Sequence, residues 1–123
     1  MPSTHEIHTR GIQIAAQRLM MRPFSGGDRR EANAYMPDGR RARILSRTVV
    51  TPTSTTSFDW PNDDLDFEVF VGVFLDESDL SLVRLIEVPV SEVLRLGHRT
   101  TNFRFRWSGK MRREPGVRIH FEV

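Results

Sequence analysis

The chain contains no cysteine. That removes disulfide frameworks, thiolate metal sites and cysteine nucleophiles together and fits a reducing compartment, with the cytoplasm as the expected location. Long hydrophobic runs are missing too. None approaches the roughly 20 residues that a membrane-spanning helix needs, and Met1-Pro2-Ser3-Thr4-His5-Glu6 lacks the basic-then-apolar order of an export signal. No membrane partner is expected. No glycine-rich phosphate loop is present, because Gly26-Gly27 lacks the G-x-x-x-x-G-K-[S/T] context. Repeats and low-complexity tracts are absent as well. What remains is 123 residues with 38% hydrophobic content, enough for one modest core, so residues 1–123 are read as a single domain.

Lysine is almost absent: of eighteen basic residues, only Lys110 is not arginine. A G- and C-rich genome produces the same bias without selection, although the planar guanidinium fork does suit phosphate and carboxylate partners. The distribution along the chain is more informative than the net charge of +2. Residues 1–58 carry nine arginines against Glu6, Asp28, Glu31 and Asp38, residues 59–92 carry Arg84 against ten acids, and residues 93–123 carry eight basic groups against Glu114 and Glu122. Two basic ends flank an acidic middle.

Ser3-Thr4-His5-Glu6 matches a capping box, and Ile7, Ile12, Ala15, Ala16, Leu19 and Met20 follow at near-helical spacing. The pattern predicts a helix over residues 4–21, ended by Pro23, and then a turn at Ser25-Gly26-Gly27-Asp28. Residues 31–36 and 41–50 should form a hairpin around Pro37-Asp38-Gly39-Arg40. Residues 51–60, rich in Ser and Thr and bracketed by Pro52 and Pro61, read as a loop. Residues 67–75 are apolar on both parities after Val69, the mark of a strand buried on both faces, and residues 82–88 pair with it antiparallel across Asp76-Glu77-Ser78-Asp79. A short helix follows over residues 92–96, with Ser91 placed to cap it and Gly97 to end it. Phe103-Arg104-Phe105-Arg106-Trp107 alternates strictly, and a last strand covers residues 117–123.

This order resembles small bacterial restriction-endonuclease-like domains of the PD-(D/E)XK superfamily over roughly residues 9 to 123. The likeness is carried by the Asp38-Gly39-Arg40-Arg41 turn, the buried stretch from Asp66 to Asp76, and Ile86-Glu87-Val88-Pro89 before the short helix. It implies an α+β (α/β) fold whose central mixed or antiparallel sheet is flanked by an N-terminal helix and a short C-terminal helix. It also implies an acid on the first hairpin strand, and an acid or glutamine, one residue, and a lysine on the second. Here those positions hold Asn33, Arg43 and Leu45. Magnesium needs hard oxygen ligands, and the lysine supports the attacking water or the developing phosphate charge. Arg43 would repel the metal instead. The helix acid of the family has no counterpart near Arg10 or Gln13, so no resident metal, cofactor or nuclease activity is expected; the alternative is a divergent nuclease that has moved its ligands to Glu31 or Asp38.

The remaining constellations are weaker. The acids Asp59, Asp63, Asp64, Asp66 and Glu68 do not match a calcium-loop spacing and read as a solvated loop or a dock for a basic partner. His5 and His8 share a helix face without a third ligand, and His98 and His120 have no recognisable catalytic partner in sequence. The leading candidate surface is the set Arg40, Arg41, Arg43, Arg47, Arg99, Arg104, Arg106, Lys110, Arg112 and Arg113. If both basic ends meet on one face, that face binds nucleic acid by its phosphates; the competing reading pairs these arginines with the acidic middle. The leading expectation is thus a non-catalytic nuclease-like domain acting on nucleic acid or in a nucleic-acid-processing or defence assembly. The alternative from another class is a protein-interaction module or homodimer.

Overall fold

A computed structural model describes residues 2–25 and 28–123. The predicted turn at residues 25–28 is centred on Gly26 and Gly27 and so lies outside the described residues. The Ser3 hydroxyl accepts from the Glu6 amide at 3.1 Å and the Glu6 carboxylate accepts from the Ser3 amide, which satisfies two amides that a helix start leaves unpaired. Helix α1 runs over Thr4–Leu19. It stops earlier than expected, because Met20 takes the left-handed conformation at φ 54°. That reversal turns Met20 out to 76% exposure and sends Met21 into the core instead.

Among the described residues nine strands follow in two sheets. The larger holds β1 (Arg22–Pro23), β2 (Ala34–Tyr35), β3 (Arg41–Val49), β5 (Val69–Asp76), β6 (Leu82–Pro89) and β9 (Arg118–Glu122), side by side in the order β1-β2-β3-β5-β6-β9. The smaller holds β4 (Thr56–Trp60), β8 (Phe103–Trp107) and β7 (His98–Arg99), in the order β4-β8-β7. The larger sheet is mixed: β3 and β5 run parallel from Ala42 opposite Val69 to Val49 opposite Asp76, and its other pairs are antiparallel. The fold is therefore α+β with two helices, the second being α2 at Val90–Leu96. Among the described residues no helix is long and apolar enough to cross a membrane.

Each face of the larger sheet has its own core. On one face α1 lies across β3 and β5, burying Ile14 and Ala15 against Ile44, Val71 and Val73. The approach is close at Gly11, where a Cβ would overlap the Ser46 hydroxyl. On the other face the smaller sheet brings Phe58, Phe105 and Trp107 down on Phe70 and Phe74, mostly edge to face. Such pairs each add about 0.5–1.5 kcal/mol beyond the area they bury.

Residues 56–60 are a strand rather than loop. Thr56, Phe58 and Trp60 point inward while Ser57 and Asp59 point out, and each pairs with β8. Pro52 and Pro61 lie outside its limits. The first hairpin is shorter than expected on one side, since β2 pairs only with Arg41 and Ala42 and Glu31 instead bridges to Asp66. Gly39 sits at φ +90° in its turn, a conformation that costs glycine little. Ser91 does not cap α2; Pro89 occupies that position, with no side-chain hydrogen bond.

Candidate cationic cleft

Strand β3 alternates its side chains between the two cores, so Ala42, Ile44 and Ser46 face α1 while Arg43, Leu45, Arg47 and Val49 face the smaller sheet. The aromatic layer buries most of Leu45 and Val49. It leaves the outer edge of β3 open, and there a cleft of about 390 Å³ opens between β3, the start of α1 and Arg29. Arg29, Arg43, Arg47 and His8 line it together with Leu45 and Ser46, and among the described residues no carboxylate lines it.

Arg43 sits under unusual electrostatic terms. It is only 7% exposed, its Nη1 donates to the Glu31 carbonyl at a long 3.4 Å, and its Nε is buried without a partner. Burial and then the Arg29 charge lower its pKa against a smaller opposing pull from Asp28 and Glu31, and the same two causes lower that of Arg47 against a smaller pull from Asp59. An arginine keeps its proton at neutral pH regardless, so the cleft holds positive charge at close range without a paired anion. Arg47 lays its guanidinium over the Phe58 ring at 5.3 Å and donates to the Ser46 carbonyl at 2.8 Å. His8 is held below the usual histidine value by burial first, then by Arg43 and His5. The whole set favours an anion.

Of the three positions tied to a metal-dependent nuclease, Arg43 and Leu45 line this cleft and Asn33 does not. Asn33 is 3% exposed, and its amide Nδ2 donates to the Ile44 carbonyl at 3.1 Å while its Oδ1 accepts from the Ile44 amide at 2.7 Å. The side chain thus continues the β2–β3 ladder one rung beyond the backbone of β2. Among the described residues no group of three His, Asp or Glu side chains is placed to hold a metal ion. Asp38 is bound to Arg40 at 2.7 Å, and Glu31 takes part through its backbone.

Five of the ten basic candidates are paired with carboxylates of the chain. Arg40 pairs with Asp38 and Glu87, Arg41 with Asp66 and Glu68, Arg99 with Asp63, Arg104 with Asp59, and Arg112 with Glu122. Four of these five reach into the acidic middle of the chain, which is how its charge is disposed of. Arg106, Lys110 and Arg113 are exposed, with Arg106 on the outer side of β8. Only Arg43 and Arg47 come together at a cleft, where they are joined by Arg29 and His8. Arg29 carries no sequence signal, because a loop residue after a glycine pair has no periodicity to read. His120, without a partner in sequence, meets Glu87 at 2.9 Å across β6 and β9.

No protein-family model matches the chain, and no curated protein is significantly similar to it.

Proposed function

We propose that this chain is a non-catalytic, nuclease-like domain that binds nucleic acid, with the Arg29, Arg43 and Arg47 cleft receiving backbone phosphate. The observation that carries the reading is the buried Arg43 guanidinium, whose Nε has no partner and which, among the described residues, forms no ion pair, Asp28 and Glu31 acting on its charge only through space. Buried charges are ordinarily paired, and an unpaired one costs several kcal/mol unless something outside the chain completes it. Phosphate does so well, because its oxygens match the guanidinium fork. The resemblance to restriction-endonuclease-like domains supports the same reading. Arg43 and Leu45 stand where that family keeps a metal-binding group and a lysine, and their substitution exchanges cleavage chemistry for cationic contact.

Fluorescence anisotropy with labelled oligonucleotides across a salt series tests it. Three arginines on phosphates predict a log–log salt slope of about −2 on a single strand. Arg43→Gln and Arg47→Gln should each weaken binding and make the slope shallower. Binding that ignores salt, or that survives both substitutions, rejects the reading.

A further inference from the structure

Strand β3 continues past the last residue that β2 covers, and its outer edge meets two clefts rather than one. The second, of about 400 Å³, is bounded by β3 and by the segment leading into β4. Arg47 and Thr48 line both clefts, so the two adjoin along the strand. Their linings differ in chemistry. The first holds the three arginines; the second is lined by Val49 and Val50 and by the hydroxyl-bearing Thr48, Ser54, Thr55, Thr56 and Ser57, with Thr56 turned inward. Among the described residues no carboxylate lines either.

The edge itself is poorly suited to strand addition. Ala42 and Ile44 direct their backbone groups toward the β2 side, so Ser46, at the same parity, directs its carbonyl there too. Arg47 already occupies that carbonyl, and a charged residue folded over an open edge blocks the next strand. What the edge offers instead is a cation beside backbone amides and the hydroxyls of Thr48, Thr55 and Ser57, while Ser54 and Thr56 use theirs within the chain. From Arg43 to Val50 the chain rises roughly 23 Å at strand spacing, room for several nucleotides of one strand.

We propose that the two clefts form a single track for single-stranded nucleic acid, phosphates in the arginine cleft and the adjoining sugar-phosphate backbone along the hydroxyl cleft. This rests on the nucleic-acid reading above and adds strand form and polarity of chemistry to it. Among the described residues no aromatic ring lines either cleft, so bases are not read by stacking and the track tolerates sequence. Hydroxyls release no counterions. The second cleft therefore raises affinity without steepening the dependence on salt.

The test uses the full chain with labelled oligo(dT) and oligo(rU) of about 2 to 12 nucleotides, beside a duplex of matching length. The expected result is tighter binding of single strand than duplex, with affinity rising about tenfold over the first few added nucleotides while the salt slope stays near its value for the shortest strand. Thr55→Glu, which sets a carboxylate in the second cleft only, should bring the longer strands back to the affinity of the shortest. Equal binding of duplex and single strand, or a salt slope that grows with each nucleotide, overturns the track and leaves the arginine cleft as a general phosphate site. Binding of an unstructured peptide in place of nucleic acid overturns it in favour of strand addition. If neither nucleic acid binds at any salt concentration, the functional reading fails as well.

Discussion

Replacing Arg43 with methionine should make the protein more stable and less able to bind. The side chain buries its stem and its charge together, and the chain supplies the guanidinium with one long hydrogen bond to the Glu31 carbonyl and with the unpaired pull of Asp28 and Glu31. After burial, the charge that acts on it most is Arg29, whose repulsion outweighs the attraction of either acid. Exchanging buried ionic groups for apolar side chains of similar volume often stabilises proteins by about 1–4 kcal/mol, and a value of about 2 kcal/mol is expected here because methionine keeps the stem contacts. For a domain of this size, that corresponds to a rise in Tm of roughly 6–10 °C. Thermal unfolding followed by circular dichroism, with and without sulfate, provides the assay. The unaltered chain should gain stability from sulfate by occupancy of the cleft and Arg43→Met should gain little. Arg41→Met is the control: that guanidinium is partly exposed and paired with Asp66 and Glu68, so its loss changes stability by no more than about 1 kcal/mol. If Arg43→Met melts below the parent, or still responds to sulfate as the parent does, the assignment of an uncompensated charge to the cleft is wrong.

Further outcomes follow from other residues. Asn33→Ala leaves the Ile44 amide and carbonyl without partners and should cost about 1–3 kcal/mol in denaturant unfolding. Gly11→Ala drives a methyl into Ser46 beneath α1 and should destabilise by about 1–3 kcal/mol, as overpacked interiors do, with loss of helix docking visible in hydrogen exchange along α1. His8 titrates below its unfolded value, so the folded chain binds fewer protons than the unfolded one and the contribution is present above about pH 6.5. It is lost as pH falls below that point, and His8→Gln should flatten that part of the stability profile. An anion in the cleft reverses the effect by favouring the protonated ring. Oligonucleotide affinity should therefore increase as pH falls through the same range, and a pH-independent affinity would exclude His8 from the site.

The parts of the fold that could be read in advance are those whose cause is local. Ser3 and Glu6 announce α1 because a capping box is completed within four residues. Pro37-Asp38-Gly39 announces the hairpin because the turn needs glycine at positive φ. Val69 to Leu75 announces a buried strand because both of its faces are apolar. Strand β4 was written in the sequence as well, in the alternation of Thr56, Phe58 and Trp60. The flanking prolines hid it, although a proline stops a strand only at its own position. The parallel pairing of β3 with β5 has no local mark at all, since it depends on the chain leaving for the smaller sheet and returning. The cleft shares that difficulty. Arg43 and Arg47 were visible as basic residues on a strand, but so were Arg40, Arg41, Arg99 and Arg104, and only their position against acids elsewhere separates paired from unpaired arginine. Arg29 and His8 reach the site from two other segments, by tertiary packing alone.

Asn33 has a consequence for any attempt to give this protein a metal. An acid at that position has the wrong hydrogen-bonding valence: the ionised carboxylate accepts twice and donates nothing, whereas Ile44 requires one donor and one acceptor from its neighbour. Asn33→Asp would set a negative oxygen against a buried carbonyl and open the rung that closes the hairpin. The amide is thus entrenched, and a route toward cleavage would have to rebuild the strand pairing before, or together with, the ligand set.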